Sequence, residues 1–338
     1  AITFTCALNT CGNMGSVMKG KQIHDEILLK GLLREDAALG TALMGMYAKC
    51  GEFGKAQEVF DELPIRSLVS WSALIAGYTQ QGQYQEALNQ FEQMRNEGFY
   101  PDVVSFMCIL KTCSSIGALH KGIQIHNEIF SKGLLEKDIE LGNALVDMYV
   151  KCSQLERARK VFDELLVKDV VAWTALISGY TQEGQGEEAV ECFELMLEKG
   201  QSPNEVTFLC VLTACSHSGL VEKGQMCFAK LSRNYGIAPN RQHYTCMVDL
   251  FGHAGFFDKA MTTIKKSSFS HYPMWMALLS ACQKWGNYRL ARLAFEQAVY
   301  LDKTNSAAYV CMSKVLAARG LQEDAENIES MRLKNCVA

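Results

Sequence analysis

Apolar residues along the chain fall at helical spacing, in stripes that come in pairs. One stripe, at positions i, i+3, i+4 and i+7, consists of Trp71, Leu74, Ile75 and Tyr78. A second stripe runs through residues 87–94, and the glycine and proline that follow it predict the end of a helix. Each pair of stripes predicts two amphipathic helices joined by a short turn. One hairpin of this size cannot bury both apolar faces, so we expect the hairpins to stack.

The same pattern returns after 102 residues. The segments around Trp71 and Trp173 are nearly identical, and Trp275 stands another 102 residues further on. Two more segments, which begin at Leu8 and Gly40, recur at the same interval of 102 residues. A repeated helical hairpin is typical of a solenoid. We therefore predict an all-α fold, an α-solenoid in which helix-turn-helix repeats stack into a right-handed superhelix.

Three hairpins of unequal length make up each cycle. They are 36, 31 and 35 residues long, and the predicted repeats are 1–36, 37–67, 68–102, 103–138, 139–169, 170–204, 205–240 and 241–271. Two further hairpins are predicted at 272–305 and 306–338. Within the first repeat, the segment from Gly12 to Gly15 is expected to interrupt the first helix.

The formal net charge is −4 with an isoelectric point near 6.0, so the chain has no global basic field that would attract nucleic acid. A nucleic-acid partner would have to be held by local contacts. No apolar run is long enough to span a membrane. The chain starts without Met and inside a repeat, so we expect that a targeting segment has been removed.

The 14 cysteines indicate neither disulfides nor a metal site. The chain has no Cys-x-x-Cys motif, and pairs such as Cys108 and Cys113 recur with the repeat. Small buried packing residues in a reducing compartment explain this pattern best. His24-Asp25-Glu26 and His126-Asn127-Glu128 match half of a zinc deaminase signature, but the Pro-Cys-x-x-Cys half is missing. We predict that both histidines pack within repeats and that this chain is not an enzyme and holds no cofactor.

The repeated motifs resemble the plant pentatricopeptide repeat family, in its subclass with alternating long, short and standard repeats. The resemblance covers essentially the whole chain and rests on Trp-x-Ala-Leu-Ile-x-Gly-Tyr at 71–78 and 173–180, Phe-Asp-Glu at 60–62 and 162–164, Gly-Lys-x-Ile-His at 20–24, and 46–51. The sequence departs from the pattern at Ser153, where glycine is usual, and at Tyr272-Pro273. Residues 272–305 and 306–338 resemble the two E motifs of this subclass, the second of which we expect to be truncated.

The resemblance implies binding of single-stranded organellar RNA, with one base read by each repeat through its fifth and last residues. In the standard repeats these pairs are Ser72 with Asp102 and Thr174 with Asn204. In the short repeats they are Thr41 with Ser67, Asn143 with Asp169, and Thr245 with His271. In the long repeats they are Thr5 with Asp36, Met107 with Asp138, and Leu209 with Asn240, of which Met and Leu are expected to discriminate poorly.

The chemistry of the last residue favours particular bases. A carboxylate only accepts hydrogen bonds, which suits guanine and uracil, whereas an amide also donates, which suits adenine and cytosine. Together with the family's preferences at the fifth residue, the pair Ser72/Asp102 is predicted to read G, Asn143/Asp169 U, and Thr174/Asn204 A. The alternative is that these residues only cap helices.

Two further sets of residues are candidates for contacts with RNA. The second residues of four repeats, Val69, Val104, Val171 and Val206, are candidates for holding bases from both faces, although packing is the simpler explanation. Lys49 and Lys151 occupy equivalent places in the short repeats and are candidates for phosphate contacts, or are simply solvated.

The leading hypothesis is a specificity factor for C-to-U RNA editing in mitochondria or chloroplasts. Editing accessory proteins and a deaminase domain, in cis or in trans, are then the expected partners. One alternative is an organellar RNA stability or splicing factor. Another is a tetratricopeptide-like protein scaffold, which would have no reason to keep polar pairs at the fifth and last residues.

Overall fold

The computed structural model describes residues 2–34, 37–63, 65–267 and 271–336. The α-helices of these residues are α1 (Ile2–Met14), α2 (Val17–Leu29), α3 (Ala37–Lys49), α4 (Phe53–Glu62), α5 (Leu68–Gln80), α6 (Tyr84–Asn96), α7 (Val103–Ile116), α8 (Leu119–Ser131), α9 (Ile139–Lys151), α10 (Leu155–Glu164), α11 (Val170–Gln182), α12 (Gly186–Glu198), α13 (Glu205–Ser218), α14 (Val221–Arg233), α15 (Arg241–His253), α16 (Phe257–Lys266), α17 (Tyr272–Trp285), α18 (Tyr288–Leu301), α19 (Ser306–Ala317) and α20 (Gln322–Cys336). The described residues contain no β-strand, and the predicted all-α fold is confirmed.

The chain forms two compact units, residues 1–167 and 168–338. In the first unit, α1, α3, α5, α7 and α9 pack side by side in sequence order, and in the second unit α11, α13, α15, α17 and α19 do the same. We call these the first-layer helices. The even-numbered helices mostly pack against the first-layer helices on either side of them. Each unit is therefore a stack of helical hairpins with one continuous layer.

The apolar stripes identified in the sequence form the core between the hairpins. Trp71 and Phe60 are buried and meet edge to face, with ring centroids 4.5 Å apart. The guanidinium of Arg66 covers the Phe60 ring at 4.9 Å and forms an ion pair with Glu97 at 2.8 Å. Burying two aromatic side chains of this size contributes a few kcal/mol each, about 1.5–3 for a Phe-sized group.

The predicted interruption between Gly12 and Gly15 falls at Gly15, which has φ 62°, whereas α1 continues through Gly12 to Met14. Gly12 is buried where α1 approaches α3, and a Cβ at this position would lie 3.2 Å from the Cα of Met46. Glycine is needed here because the two backbones lie close together, not because the helix ends.

The turn after α9 has an unusual backbone conformation. Ser153 has φ 55° and is the one described non-glycine residue with positive φ, whereas Gly51 and Gly255, one cycle before and after it, have φ 80°. A side chain in this left-handed region carries a steric cost that glycine avoids. The departure from the repeat pattern at Ser153 is thus a strained turn rather than a change of fold.

Candidate nucleic-acid interface

The candidate base-reading residues lie at the starts of the first-layer helices. The residue before six of these helices accepts a hydrogen bond from a backbone N–H in the first turn, as helix-capping residues do. These caps are Ser67 on α5, Asp102 on α7, Asp138 on α9, Asp169 on α11, Asn204 on α13 and Asn240 on α15. Six of the predicted last residues are therefore helix caps. At Asp102 and Asn204, capping uses Oδ1 and leaves the second polar atom of the side chain for a further contact.

In the standard repeat 68–102, the structure brings the predicted pair together. The hydroxyl oxygen of Ser72 lies 3.1 Å from Oδ1 of Asp102 and 2.9 Å from the Leu68 carbonyl oxygen. Oδ1 of Asp102 also accepts from the backbone N–H and the hydroxyl of Ser105, at 2.8 and 2.7 Å. All of these bonds use Oδ1, and Oδ2 has no hydrogen-bond partner among the described residues. The repeat thus presents one acceptor oxygen of a half-buried carboxylate.

In the standard repeat 170–204, the pair is joined through a third residue. Oδ1 of Asn204 accepts from the backbone N–H and the hydroxyl of Thr207, both at 2.9 Å, and the Thr207 hydroxyl lies 2.7 Å from that of Thr174. A backbone N–H can only donate, which fixes the Asn204 oxygen towards the helix. The Nδ2 amide group of the exposed Asn204 therefore faces away from the helix and offers hydrogen-bond donors.

In the short repeat 241–271, Thr245 and His271 also meet. The Thr245 hydroxyl donates to the Arg241 carbonyl at 2.9 Å and lies 3.1 Å from Nε2 of His271. Which of these two atoms donates depends on the tautomer of the imidazole. His271 precedes α17 but makes no side-chain cap bond.

The long repeats arrange their candidates differently. Met107 and Leu209 are half-buried, while Asp138 and Asn240 cap α9 and α15. Nδ2 of Asn240 donates to the carboxylate of Glu205, so the oxygen and the nitrogen of this amide are both engaged within the protein. The poor discrimination expected of the long repeats stays a prediction.

The remaining candidates are placed as follows. Thr5 is half-buried in α1, and Asp36 lies outside the described residues. Thr41 is half-buried in α3, and Ser67 caps α5. Asn143 is buried in α9 of the first unit, and Asp169 caps α11 of the second unit.

The four candidate valines are exposed although they are apolar. Val69, Val104, Val171 and Val206 have 63%, 51%, 53% and 56% of their surface accessible. They stand at the second residue of α5, α7, α11 and α13, next to the capping residues. Packing within the chain therefore does not account for them, and their position suits contact with the flat face of a base.

Both candidate lysines are exposed and engaged. Nζ of Lys49 donates to Asn13 Oδ1 at 2.9 Å, and Nζ of Lys151 forms an ion pair with Asp147 at 2.8 Å. Exposed pairs of this kind contribute little to stability, about 0–1 kcal/mol, so a phosphate can replace either partner at small cost.

The histidines of the partial deaminase motif are packing residues. His24 Nδ1 is hydrogen-bonded to the hydroxyl of Tyr47 at 2.9 Å, and His126 Nδ1 to that of Tyr149 at 2.8 Å. Burial lowers the pKa of both histidines, and it raises the pKa of Tyr47 to about 12. Among the residues that the structure describes, no group of His, Cys, Asp or Glu is arranged to hold a metal ion. None of the described helices could cross a bilayer.

Seven of the 14 cysteines are buried, six are half-buried and one is exposed. Cys113 and Cys215 are buried, and burial raises the pKa of each to about 12. Cys6 is exposed, so the expectation of burial fails at this position.

Sequence reasoning missed Ser105 and Thr207. Each is the third residue of a long repeat, is fully buried, and bonds both the cap of its own helix and the fifth residue of the preceding repeat. A hydroxyl three residues after a capping residue is the signal that would have found them.

Comparisons with protein families match five segments. The PPR repeat family model matches residues 66–115 and 168–217, and the PPR repeat model matches 41–67, 143–170 and 243–266. Together these segments cover more than half of the chain.

Several proteins of Arabidopsis thaliana are similar over nearly the whole chain. A pentatricopeptide repeat-containing protein is 39% identical over 327 residues, covering 96% of this chain and 65% of its own. A second is 37% identical over 331 residues, covering 98% and 56%. A third, named as mitochondrial, is 34% identical over 321 residues, covering 94% and 68%. The chain spans only 45% of a further relative, so it corresponds to part of several longer proteins.

Solved structures share the fold. The pentatricopeptide repeat protein PPR10 in complex with an 18-nucleotide psaJ RNA element superposes with a TM-score of 0.79 at 16% identity, over 94% of this chain and 48% of that one. PPR10 from maize superposes with a TM-score of 0.65 at 18% identity, over 98% and 53%. At such identities the likeness concerns the fold, and it confirms the predicted α-solenoid.

Proposed function

Because the chain belongs to the pentatricopeptide repeat family, we propose that it is a sequence-specific binder of single-stranded RNA that reads one base per repeat. The starts of the first-layer helices are the proposed binding surface. A family protein of the same fold has been solved in complex with an 18-nucleotide RNA element, which supports this proposal.

The single observation that carries the proposal is the contact between Ser72 and Asp102. These residues stand 30 positions apart in sequence, yet their side-chain oxygens lie 3.1 Å apart at the start of a first-layer helix. An exposed valine, Val69 or Val104, lies at the start of each of the two adjacent helices. A pair of polar atoms beside apolar surface offers both parts of base recognition, hydrogen bonds to the base edge and contact with its face.

The orientation of each polar group supports a base assignment. Asp102 presents an acceptor oxygen, which suits the N1–H of guanine, and the repeat 68–102 is proposed to read G. Asn204 presents amide donors, which suit N1 of adenine, and 170–204 is proposed to read A. With Asn143/Asp169 proposed to read U, the array would select G-x-U-A in the order of its repeats.

The biological role proposed for this binding is site recognition for C-to-U editing in mitochondria or chloroplasts. The order of long, short and standard repeats and the two E-like hairpins at 272–305 and 306–338 support this role. A mitochondrial relative is consistent with an organellar location. The deamination chemistry itself is assigned to a partner or to a further domain, because the histidines of this chain serve packing.

The test is a selection of the purified chain against randomised single-stranded RNA. We expect enrichment of G and A at a fixed spacing of three positions, with U beside A. Enrichment of any RNA without such a spacing, or equal binding of all sequences, would contradict the proposal. Tight binding of an extended peptide with no RNA preference would favour a protein scaffold.

A further inference from the structure

We propose that Ser105 and Thr207 are specificity-positioning residues, so that base reading by one repeat depends on the third residue of the next repeat. This inference rests on the proposed RNA-binding function and concerns how that function achieves discrimination. Neither residue belongs to the pairs that the sequence predicted. Both lie on the following first-layer helix, α7 or α13.

Ser105 fixes the orientation of the Asp102 carboxylate. It is fully buried, and its hydroxyl lies 2.7 Å from Oδ1 of Asp102 and 2.9 Å from the hydroxyl of Ser72. The backbone N–H and the hydroxyl of Ser105 both donate to this oxygen atom, and the hydroxyl oxygen of Ser72 lies 3.1 Å from it. A carboxylate is planar, so holding Oδ1 sets the direction of Oδ2, the oxygen left for a base.

The protons of this cluster can be assigned. The Ser105 hydroxyl has one proton, and the charged oxygen of Asp102 at 2.7 Å is its nearest acceptor. Ser105 can then accept the proton of Ser72 at 2.9 Å. Ser105 thereby connects the fifth and last residues of repeat 68–102 into one network, and loss of its hydroxyl removes a bond to each.

Thr207 has the same role for the amide of Asn204. Its hydroxyl lies 2.9 Å from Oδ1 of Asn204 and 2.7 Å from the hydroxyl of Thr174, which itself makes no direct bond to Asn204 among the described residues. The contact between the fifth and last residues of repeat 170–204 therefore runs through the side chain of the next repeat. One such network, around Ser105, lies in the first unit, and the other, around Thr207, lies in the second unit.

The boundaries before α9 and α11 lack this hydroxyl, whereas Ser70 of α5 has one that bonds its own cap residue, Ser67. Leu141 and Ala172, the third residues of α9 and α11, donate only their backbone N–H to the capping residue. The two standard repeats that precede long repeats, 68–102 and 170–204, both have the network that joins the fifth residue, the cap and the third residue of the next repeat. We expect these two repeats to discriminate more sharply between bases than repeats followed by Leu141 or Ala172.

The test compares Ser105→Ala with Ser105→Thr and a matched control, Thr112→Ala. Thr112 is also fully buried on α7, and its hydroxyl meets that of Thr79 on α5 at 3.1 Å. The control thus removes a hydroxyl contact between the same two helices, away from the binding surface. Affinities are measured for four RNAs that differ only at the base aligned with residues 68–102, and thermal unfolding is recorded for each variant.

We expect Ser105→Ala to lower the preference for G over A by roughly 2- to 10-fold, the ratio for one ordinary hydrogen bond. Ser105→Thr should keep the wild-type preference. Thr112→Ala should also keep it, although it lowers the unfolding temperature about as much as Ser105→Ala does. If Ser105→Ala keeps the wild-type preference, or Thr112→Ala loses it equally, Ser105 is only structural and the inference fails while RNA reading stands. If the wild-type chain itself shows no preference at this base, the proposed function fails first.

Discussion

Nδ1 of His24 is hydrogen-bonded to the hydroxyl of Tyr47 at 2.9 Å, and two cycles later both positions are phenylalanine, Phe228 and Phe251. Both polar side chains are thus replaced by apolar ones in the later repeat. Leaving one polar partner behind in a half-buried site would cost more than replacing both, because the remaining group would lose its hydrogen bond. The same two positions therefore hold either a hydrogen-bonded His–Tyr pair or two phenylalanines, as packing positions do.

Tyr47→Phe is expected to destabilise the protein by about 1–3 kcal/mol, because it removes the hydrogen-bond partner of His24 Nδ1. The double variant His24→Phe/Tyr47→Phe should recover most of this loss, as the natural pair Phe228 and Phe251 suggests. Urea unfolding followed by circular dichroism measures both. A double variant that is less stable than Tyr47→Phe alone would show that the histidine contributes something beyond this bond.

Stability is expected to fall as the pH is lowered from 7 to 5. Burial lowers the pKa of His24, His126 and His243 in the folded state, so the unfolded state binds more protons below its own pKa of about 6.5. The contribution of these neutral histidines to the free energy of unfolding is then complete above this pH. It decreases below this pH by at most about 1.4 kcal/mol per pH unit for each histidine. Unfolding midpoints across this range measure the slope, which should be smaller in His24→Phe/Tyr47→Phe. An unchanged slope would assign the pH dependence to other groups.

Asp102→Asn is expected to move the preference at the base aligned with residues 68–102 from G towards A, by about 1–3 kcal/mol. The amide oxygen should keep the cap bond to Ser105, as Asn204 does with Thr207, and the amide nitrogen would then present a donor where the carboxylate presented an acceptor. Competition between RNAs that differ at this base measures the shift. Asp138→Asn is the control, because this cap is paired with Met107 in a long repeat. If Asp102→Asn weakens the binding of every RNA equally, Asp102 acts only as a helix cap.

Ser153→Gly is expected to stabilise the protein by about 1 kcal/mol. Ser153 has φ 55°, a conformation that costs a side-chain-bearing residue roughly 1–3 kcal/mol and that glycine adopts freely at some entropic cost. The matched change Gly51→Ser, in the equivalent turn with φ 80°, should destabilise by a similar amount. Chemical unfolding midpoints test both, and a Ser153→Gly protein no more stable than wild type would mean that the turn relaxes around serine.

RNA binding is expected to depend more on base identity than on salt, because the net charge is −4 and Lys49 and Lys151 already have partners. Proteins with many phosphate contacts lose roughly 10³–10⁵ in affinity between 50 and 200 mM salt. Affinities of a selected and a scrambled RNA over this range measure the slope. A loss that steep, with little difference between the two RNAs, would contradict recognition through base edges.

The sequence was sufficient to predict the helices and their stacking, since apolar stripes, capping residues and glycine stops all act locally. The first-layer helix α5, for example, begins one residue after Ser67, as its capping chemistry implies. Gly12 could not be told apart from Gly15, because a glycine that ends a helix and one that allows two backbones to approach look alike in a single sequence. The difference depends on Met46, 34 positions away.

The pairing of side chains across helices was only partly predictable. The position of Ser72 beside Asp102 was expected from the family pattern, but the contribution of Ser105 was not. A serine at the third position of a helix usually serves its own cap, and whether its hydroxyl also reaches the preceding helix depends on how closely α5 and α7 pack. That distance is a tertiary property with no local signal.

The use of helix caps as the proposed base readers limits how such an array can change its target during evolution. Any substitution at Asp102 or Asn204 must still begin a helix, so the residues accepted there are those with a short polar side chain, mainly Asp, Asn, Ser and Thr. The same few residues differ in whether they offer a donor or an acceptor. A single codon change between Asp and Asn can therefore rewrite one base of the target while the scaffold keeps its stability, and the array can drift to new RNA sites without passing through unfolded intermediates.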